Sequence, residues 1–203
     1  MGFVQSSGFG NGDHLNILGL VLAGGKSRRF GEDKALALYD GKGFLERAVD
    51  LLREVGLKPA VVTRHGADYS FLRCPVLRDK LPEKGPLGGI YTAMKIFGDT
   101  HFLVLTCDMP ALNVSALTQL LEPRQPVDIT VFSHHSTLQP FPAVYSASLF
   151  ASVRRRLFQE RLSMTGLLEE TVNKRILSWE GDPEIFLNVN HREDILPGAR
   201  ISN

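Results

Sequence analysis

The densest group of side chains that could bind an anion lies between residues 24 and 34, in the sequence GGKSRRFGEDK. The stretch holds two acids, three glycines and four cations. The glycines and cations are Gly24, Gly25, Gly31, Lys26, Arg28, Arg29 and Lys34. Glycines let main-chain N–H groups curl around an anion, and cations neutralise its charge. This composition predicts a loop that binds a polyphosphate.

Two well-known phosphate-binding loops do not fit this stretch. A P-loop needs glycine at position 20, where Leu20 stands, and Gly19 is one residue out of register. No G-x-G-x-x-G pattern follows a predicted strand. From the residues alone, a basic surface loop with turn glycines remains the alternative interpretation.

Two carboxylates follow predicted strands, where ligands bind in open α/β sheets. Asp79 precedes the glycine-rich sequence 85–89, GPLGG, and its carboxylate can accept the N–H groups of a guanine edge. The alternative is a turn cap paired with Arg78 or Lys80. Asp108, in the sequence CDMP, suits Mg²⁺, which takes one or two carboxylates plus phosphates and waters. Its alternative is a cap before Pro110.

Three further groups of polar residues lie in the second half of the chain. Asn188 and Asn190 would project on one side of an extended segment, where their amides suit a pterin or a phosphate-linked substrate. His134 and His135 are adjacent, but neighbours on a strand face opposite ways, so a shared ion is not expected. The run 154–156, three arginines, indicates a solvated helix face.

Alternating strand and helix patterns must position these residues. Strands are predicted at 16–23, 59–63, 75–78, 101–106, 128–132, 143–145 and 185–189. Helices are predicted at 43–56, 86–97, 114–121, 148–160 and 165–173. Such alternation predicts an α/β fold, a three-layer α/β/α sandwich around a Rossmann-like, mostly parallel sheet. We expect residues 1–15 to form a flexible leader and residues 16–203 a single domain.

Composition excludes several classes of protein. The 203 residues carry 23 Lys and Arg against 22 Asp and Glu, a net charge of +1 that argues against nucleic-acid binding as the main task. Two cysteines exclude a disulfide framework and a four-cysteine zinc site. No apolar run approaches the roughly 18 residues that span a bilayer, and residues 1–15 do not read as a secretory signal. We expect a cytoplasmic protein that binds neither membranes nor nucleic acid.

The motifs resemble a known family. Residues 22–34, LAGGKSRRFGEDK, resemble the nucleotidyltransferase signature LAGGxSxRMGxDK, with Phe30 in place of methionine. More narrowly, the chain resembles the molybdenum cofactor guanylyltransferases, through GPLGG, CDMP and the sequence FLNVN at 186–190. His191 and Arg192 replace the Thr-Pro that the family has next. The resemblance covers most of residues 16–196, with the motifs in the expected order.

That resemblance implies a nucleotide-diphospho-sugar transferase-like fold and the transfer of GMP from GTP to the phosphate of molybdopterin, with Mg²⁺ as cofactor. Lys34 and Arg28 would be catalytic, Asp108 would bind the metal, and Asn188 and Asn190 would bind the acceptor. The nucleotide would contact Leu22, Ala23, Gly24, Gly25, Lys26, Lys34, Asp79, Gly85, Pro86, Leu87 and Asp108.

Gly24-Gly25 favours GTP, because relatives that use CTP have alanine at the first position. Protein partners would be other cofactor-biosynthesis proteins or apo-molybdoenzymes. The alternatives are a molybdopterin cytidylyltransferase, a sugar-phosphate nucleotidylyltransferase and, in a different class, a non-catalytic carrier of GTP or cofactor.

Overall fold

The structure is a computed structural model that describes residues 16–23, 34–39, 41–64, 69–122 and 125–189. The expected leader, residues 1–15, lies outside these ranges. The described strands are β1 Ile17–Ala23, β2 Leu38–Tyr39, β3 Lys42–Gly43, β4 Pro59–Thr63, β5 Val76–Arg78, β6 His101–Thr106, β7 Ile129–His134, β8 Thr137–Ser146 and β9 Lys174–Ser178. The described α-helices are α1 Phe44–Glu54, α2 Gly85–Phe97, α3 Val114–Leu121, α4 Phe150–Phe158 and α5 Met164–Glu170. None of these helices is long and apolar enough to cross a membrane.

Seven strands form the main sheet, in the order β5-β4-β1-β6-β8-β7-β9. Strands β5, β4, β1 and β6 are mutually parallel, and β8 runs antiparallel to both β6 and β7. Strand β9 pairs in parallel with β7. The mostly parallel sheet of the prediction is therefore confirmed, and β2 and β3 form a separate small hairpin.

Helices cover both faces of the sheet, because alternate side chains of a strand point to opposite faces. On one face, Leu20 and Leu22 of β1 belong to the core that also includes residues of α2, α4 and α5. On the other face, Val21 belongs to the core with residues of α1 and α3. This arrangement confirms the three-layer α/β/α sandwich.

Two predicted features are wrong. The segment 185–189 is not a strand: Pro183–Phe186 form a 3₁₀ helix, because Asp182 Oδ1 accepts a hydrogen bond from the Glu184 N–H and Pro183 suits a first helical position. Strand β9, which the sequence analysis left out, lies beside β7 at the edge of the sheet. Its residues are only partly buried, so tertiary pairing rather than a strong apolar pattern defines it.

Arg156 is also not part of a solvated face. Its side chain is 2% exposed, forms an ion pair with Glu170 at 2.7 Å and donates to the Ser163 carbonyl at 3.0 Å. The absence of a side chain at Gly166 leaves room for it, since a Cβ there would lie 2.6 Å from Arg156 Nη2. Hydrogen bonding from Arg156 lowers the pKa of Glu170. The charge run alone could not reveal this burial, because it depends on how α4 and α5 pack.

The start of α2 lies against the turn that follows β5. A Cβ at Gly88 would lie 2.4 Å from the carbonyl oxygen of Leu81, which is a backbone atom and cannot turn away. Gly85 has a φ of +60°, a conformation that favours glycine. Two of the glycines in GPLGG therefore have structural reasons to be there, independent of any ligand.

We predict that Gly88→Ala lowers the free energy of unfolding by about 1–3 kcal/mol, because the new methyl group displaces the Leu81 backbone. Urea denaturation measures the change. Gly43→Ala is the matched control: its φ is −59° and the nearest atom to an added Cβ lies at 3.8 Å. The control is expected to change the free energy of unfolding by less than about 1 kcal/mol, and equal losses in both variants would contradict the assigned close approach.

Candidate functional site

Four parallel strands end at one edge of the sheet, which we call the carboxyl edge. Thr63, the last residue of β4, pairs with Ala23 of β1 and with Arg78 of β5, and Leu22 pairs with Thr106 of β6. After β1, the chain adds β4 and β5 on one side of β1 and then returns to add β6 on the other side. A reversal of strand order of this kind opens a ligand-binding crevice at the carboxyl edge.

Both candidate carboxylates directly follow strands at this edge. The Asp79 N–H donates to the Thr63 carbonyl at 2.8 Å, and the Cys107 N–H donates to the Leu22 carbonyl at 3.3 Å. Asp108 is therefore next to the end of β1, where residues 24–33 begin. Both acids therefore lie at the edge of the sheet where β1 ends.

The basic loop itself lies outside the described residues. This applies to the predicted site residues Gly24, Gly25, Lys26 and Arg28. The chain is described again from Lys34, the first residue of the 3₁₀ helix Lys34–Leu36. The segment after it is joined to α1, because the Phe44 N–H donates to the Ala37 carbonyl at 3.0 Å.

Asp79 is 9% exposed and forms a turn cap. Its Oδ1 accepts hydrogen bonds from the Leu81 N–H at 2.9 Å and from Thr92 Oγ1 at 3.0 Å. Thr92 Oγ1 in turn accepts from the Lys80 N–H at 3.0 Å. The cap half of the alternative interpretation is correct, but the ion pair with Arg78 or Lys80 does not form among the described residues.

The second carboxylate oxygen of Asp79, Oδ2, differs from Oδ1 in its hydrogen bonding. Among the described residues, every hydrogen bond to the Asp79 carboxylate goes to Oδ1. Oδ2 is therefore left to accept donors from a ligand. One carboxylate can hold the turn with one oxygen and contact a ligand with the other.

The start of α2 supplies main-chain groups rather than side chains to this edge. Gly85 and Pro86 are exposed, and their position at a helix N-terminus suits an anion or a sugar. The Leu87 side chain is fully buried and that of Leu22 is 7% exposed, both in the core beneath α2. A role for Leu22 or Leu87 in ligand binding is thus limited to backbone atoms.

Asp108 lies in a turn that several contacts hold. The Val189 N–H donates to the Asp108 carbonyl at 2.9 Å, and the Leu112 N–H donates to the Met109 carbonyl at 3.3 Å. Arg47 Nη2 donates to the Pro110 carbonyl at 3.4 Å. The Met109 side chain is buried, so packing of this side chain also holds the turn.

The contact with Val189 brings the predicted acceptor residue Asn188 beside the Asp108 turn. Asn188 is exposed and precedes Val189 in the extended chain after the 3₁₀ helix. Asn190 lies outside the described residues. The structure thus places Asn188 near the Asp108 turn without the strand that was expected to carry it, and its role as an acceptor residue stays a prediction.

The oxygen atoms at the end of β6 suit a hard cation. Asp108 Oδ1 is buried, and Thr106 Oγ1 is a buried oxygen with no hydrogen-bond partner among the described residues. No cluster of three His, Cys, Asp or Glu occurs in the described part of the chain. One carboxylate together with substrate phosphates and water fits Mg²⁺, whereas a closed all-protein metal cage does not.

Two arginines at this edge were missed by the sequence analysis. Arg64 directly follows β4, its side chain is 14% exposed, and it forms an ion pair with Glu83 before α2. The position of Arg64 directly after a predicted strand is the sequence feature that could have identified it. Arg47, in the first turn of α1, had no such signal, because its contact with Pro110 joins residues 63 positions apart.

The two histidines lie at the same edge, since β7 runs parallel to β6. Their ring centroids are 4.1 Å apart, because His135 is not in the strand but in the turn after it, with a φ of 46°. The opposite orientation expected from strand alternation is therefore wrong. The His134 ring also lies 5.9 Å from that of Phe186, which precedes Asn188 by two residues.

The proline-rich start of β8 is the other segment on this side. The Tyr145 hydroxyl donates to the Pro140 carbonyl at 2.7 Å. Burial raises the pKa of Tyr145, so the phenol stays a protonated donor across the physiological range. This hydrogen bond restrains the backbone of β8 at Pro140.

Comparisons with known proteins agree with this geometry. A family model described as MobA-like NTP transferase domain matches residues 19–175. A probable molybdenum cofactor guanylyltransferase of Carboxydothermus hydrogenoformans is 30% identical over 185 residues, which is 88% of this chain and 93% of that protein.

Two solved structures share the fold. The molybdopterin-guanine dinucleotide biosynthesis protein A of Archaeoglobus fulgidus has a TM-score of 0.70 at 23% identity, over 87% of this chain and 93% of that one. A Mycobacterium tuberculosis protein solved in complex with manganese has a TM-score of 0.62 at 18% identity, over 88% and 95%. The signature residues, the sheet and the matched length lead to one conclusion: this chain is a nucleotidyltransferase and belongs to the MobA-like NTP transferase family.

Proposed function

We propose that this enzyme transfers GMP from GTP to the terminal phosphate of molybdopterin, releasing pyrophosphate. The observation that carries the proposal is the hydrogen bond from the Val189 N–H to the Asp108 carbonyl, which joins the acceptor segment to the candidate metal acid. The names of the curated relatives support the same reaction.

The donor nucleotide would lie across the ends of β1, β4 and β5. In the proposal, Gly24, Gly25, Lys26 and Arg28 surround the triphosphate, together with main-chain groups of Leu22 and Ala23. Lys34 stabilises the charge at the α-phosphate. Main-chain groups of Gly85, Pro86 and Leu87 contact the nucleoside.

Asp79 would read the base. The guanine edge presents two neighbouring N–H donors, and Asp79 Oδ2 is an acceptor that no described residue uses. The cap through Oδ1 keeps this carboxylate from rotating. Cytosine lacks the paired donors, which is the physical reason to expect discrimination against CTP.

The acceptor phosphate attacks the α-phosphorus of GTP in line. A new bond forms between an acceptor phosphate oxygen and the α-phosphorus, and the bond from that phosphorus to the oxygen bridging the β-phosphate breaks. Pyrophosphate leaves with that bridging oxygen. Such a reaction depends on positioning and charge neutralisation more than on acid–base groups. Asn188 and Asn190 hold the acceptor.

Asp108 would hold a divalent cation, Mg²⁺ in our proposal. The buried Asp108 oxygen and the buried Thr106 hydroxyl at the end of β6 fit this role, and a structural relative was solved with manganese. The cation neutralises charge that develops on the phosphates.

Three other functions would use the same edge. A molybdopterin cytidylyltransferase and a sugar-phosphate nucleotidylyltransferase keep the chemistry and exchange one substrate. A carrier that binds GTP or cofactor without turnover is the alternative of another class. Other cofactor-biosynthesis proteins or apo-molybdoenzymes would receive the product.

We predict that Asp108→Asn lowers the rate of pyrophosphate release by at least about 100-fold, because the neutral amide no longer holds the cation. The assay contains GTP, molybdopterin and Mg²⁺, and thermal unfolding is followed in parallel. An unchanged rate would contradict the metal role. Loss of the fold would instead make Asp108 a structural residue. GTP binding with no pyrophosphate release by the unmodified enzyme would favour the carrier.

We predict that GTP competes for the nucleotide site better than CTP, ATP or UTP, and that Asp79→Asn raises the Kd for GTP about tenfold or more, because hydrogen bonds to a charged acceptor are lost. Equilibrium binding with each nucleotide measures both effects. Tighter binding of CTP would contradict the guanine assignment.

We predict a smaller effect for Thr92→Val, which removes the hydroxyl that holds Asp79 Oδ1 and accepts from Lys80. We expect GTP affinity to fall several-fold and the free energy of unfolding to fall by about 1–2 kcal/mol. Thr92→Ser keeps the hydroxyl and is the matched control. Equal loss of GTP affinity in both variants would show that the hydroxyl does not orient Asp79.

A further inference from the structure

A third, small core lies apart from the two large ones. Tyr39, Phe44 and Val189 are its buried members, and Ala37 packs against them. We call this group the Tyr39 junction. It joins the segment that follows Lys34, the start of α1 and the extended chain after Asn188. The chain after Asn188 is distant in sequence from the other two segments and packs against them through Val189.

Arg47 lies on the junction. Its guanidinium carbon is 4.9 Å from the centroid of the Tyr39 ring, within the range of a cation–π interaction. Its Nη2 donates to the Pro110 carbonyl at 3.4 Å. Its Nε is buried and has no hydrogen-bond partner among the described residues, and no described carboxylate forms an ion pair with it. The ring and the carbonyl, not an opposite charge, therefore orient this cation.

The junction contacts the Asp108 turn at two points. Val189 donates its N–H to the Asp108 carbonyl, and Arg47 donates to the carbonyl of Pro110, two residues later. Val189 is 3% exposed, so its position depends on its packing with Tyr39 and Phe44. Both contacts are made to backbone carbonyls. They restrain the path of the turn through its backbone.

We infer that Arg47 is a positioning residue: with the Tyr39 junction, it fixes the turn that carries Asp108, and thereby sets the affinity for the divalent cation. This inference rests on the proposed function only in that Asp108 binds the cation. Arg47 itself touches neither substrate nor metal. Residues that orient a metal ligand typically affect affinity about 10- to 100-fold when they are replaced.

The experiment measures Mn²⁺ binding to the full chain by electron paramagnetic resonance of free Mn²⁺, without turnover. We expect Arg47→Met to raise the Kd for Mn²⁺ about tenfold, because methionine keeps much of the apolar packing but loses the donor and the charge. Arg47→Lys keeps a cation over the Tyr39 ring and is expected to recover part of the affinity. Tyr39→Leu removes the ring and should act like Arg47→Met.

Arg53→Ala is the matched control. Arg53 is on the same helix and also donates to a backbone carbonyl, that of Leu72, but it lies at the other end of α1 and pairs with Asp50. We expect it to change thermal stability and leave the Kd for Mn²⁺ unchanged. An equal loss of Mn²⁺ affinity in Arg53→Ala and Arg47→Met would overturn the inference, because it would show a general effect of destabilising α1.

The variant Asp108→Asn distinguishes failure of the metal role of Asp108 from failure of the positioning role of Arg47. If Asp108→Asn abolishes Mn²⁺ binding and Arg47→Met leaves it unchanged, the inference about Arg47 fails and the metal role of Asp108 stands. If Asp108→Asn does not alter Mn²⁺ binding, the metal role fails, and the inference fails with it. The double variant should bind Mn²⁺ no more weakly than Asp108→Asn alone, since Arg47 acts through Asp108. A further loss in the double variant would overturn the inference.

Discussion

The parallel pairing of β1 with β4 on one side and β6 on the other is the constraint on which the rest of the structure depends. It aligns the ends of three strands, and the pairing of β4 with β5 adds a fourth. The candidate ligand-binding residues lie in the segments that directly follow these strand ends. Because β1 is buried on both faces, a slip of its register would move Leu20, Val21 and Leu22 out of their cores. The packing that forms the core therefore also fixes the positions of these strand ends.

The two acids at the carboxyl edge are held by different means. Asp79 is held through its own carboxylate, by Leu81 and Thr92, and keeps one oxygen for a ligand. Asp108 is held through the backbone of its turn, by Val189, Arg47 and the buried side chain of Met109. A base-reading acid needs a defined side-chain orientation, and a metal-binding acid needs a turn that holds its backbone in place. The two modes of support match the two proposed roles.

The net charge of +1 hides a strongly uneven distribution. Residues 26–34 contain four cations and two acids, whereas ion pairs balance charges elsewhere in the described chain at Asp50, Glu83 and Glu170. The cation Arg47 lies beside the Asp108 turn, where it donates to the Pro110 carbonyl. Local surpluses of this kind bind a small anion, whereas a long polyanion would require a broad basic surface.

The sequence by itself determined the architecture and most of the candidate site. The apolar runs and helical periodicities located β1, β4, β6, α1 and α3 almost to the residue, because strands buried on both faces and amphipathic helices leave strong local patterns. The rule that ligands bind at strand ends then pointed to Asp79 and Asp108. The proposed reaction came from the resemblance of the motifs, because no spacing argument could have supplied it.

Only the tertiary structure decided the features that depend on contacts between distant segments. Strand β9 is defined by its pairing with β7, and Arg156 is buried because α5 packs over it. The meeting of Arg47 with Pro110, and of Val189 with Asp108, joins parts of the chain 63 and 81 residues apart. Local patterns record which face of an element is apolar, but not which partner covers it. For that reason the sequence named the acids of the site, and the fold alone showed what holds them.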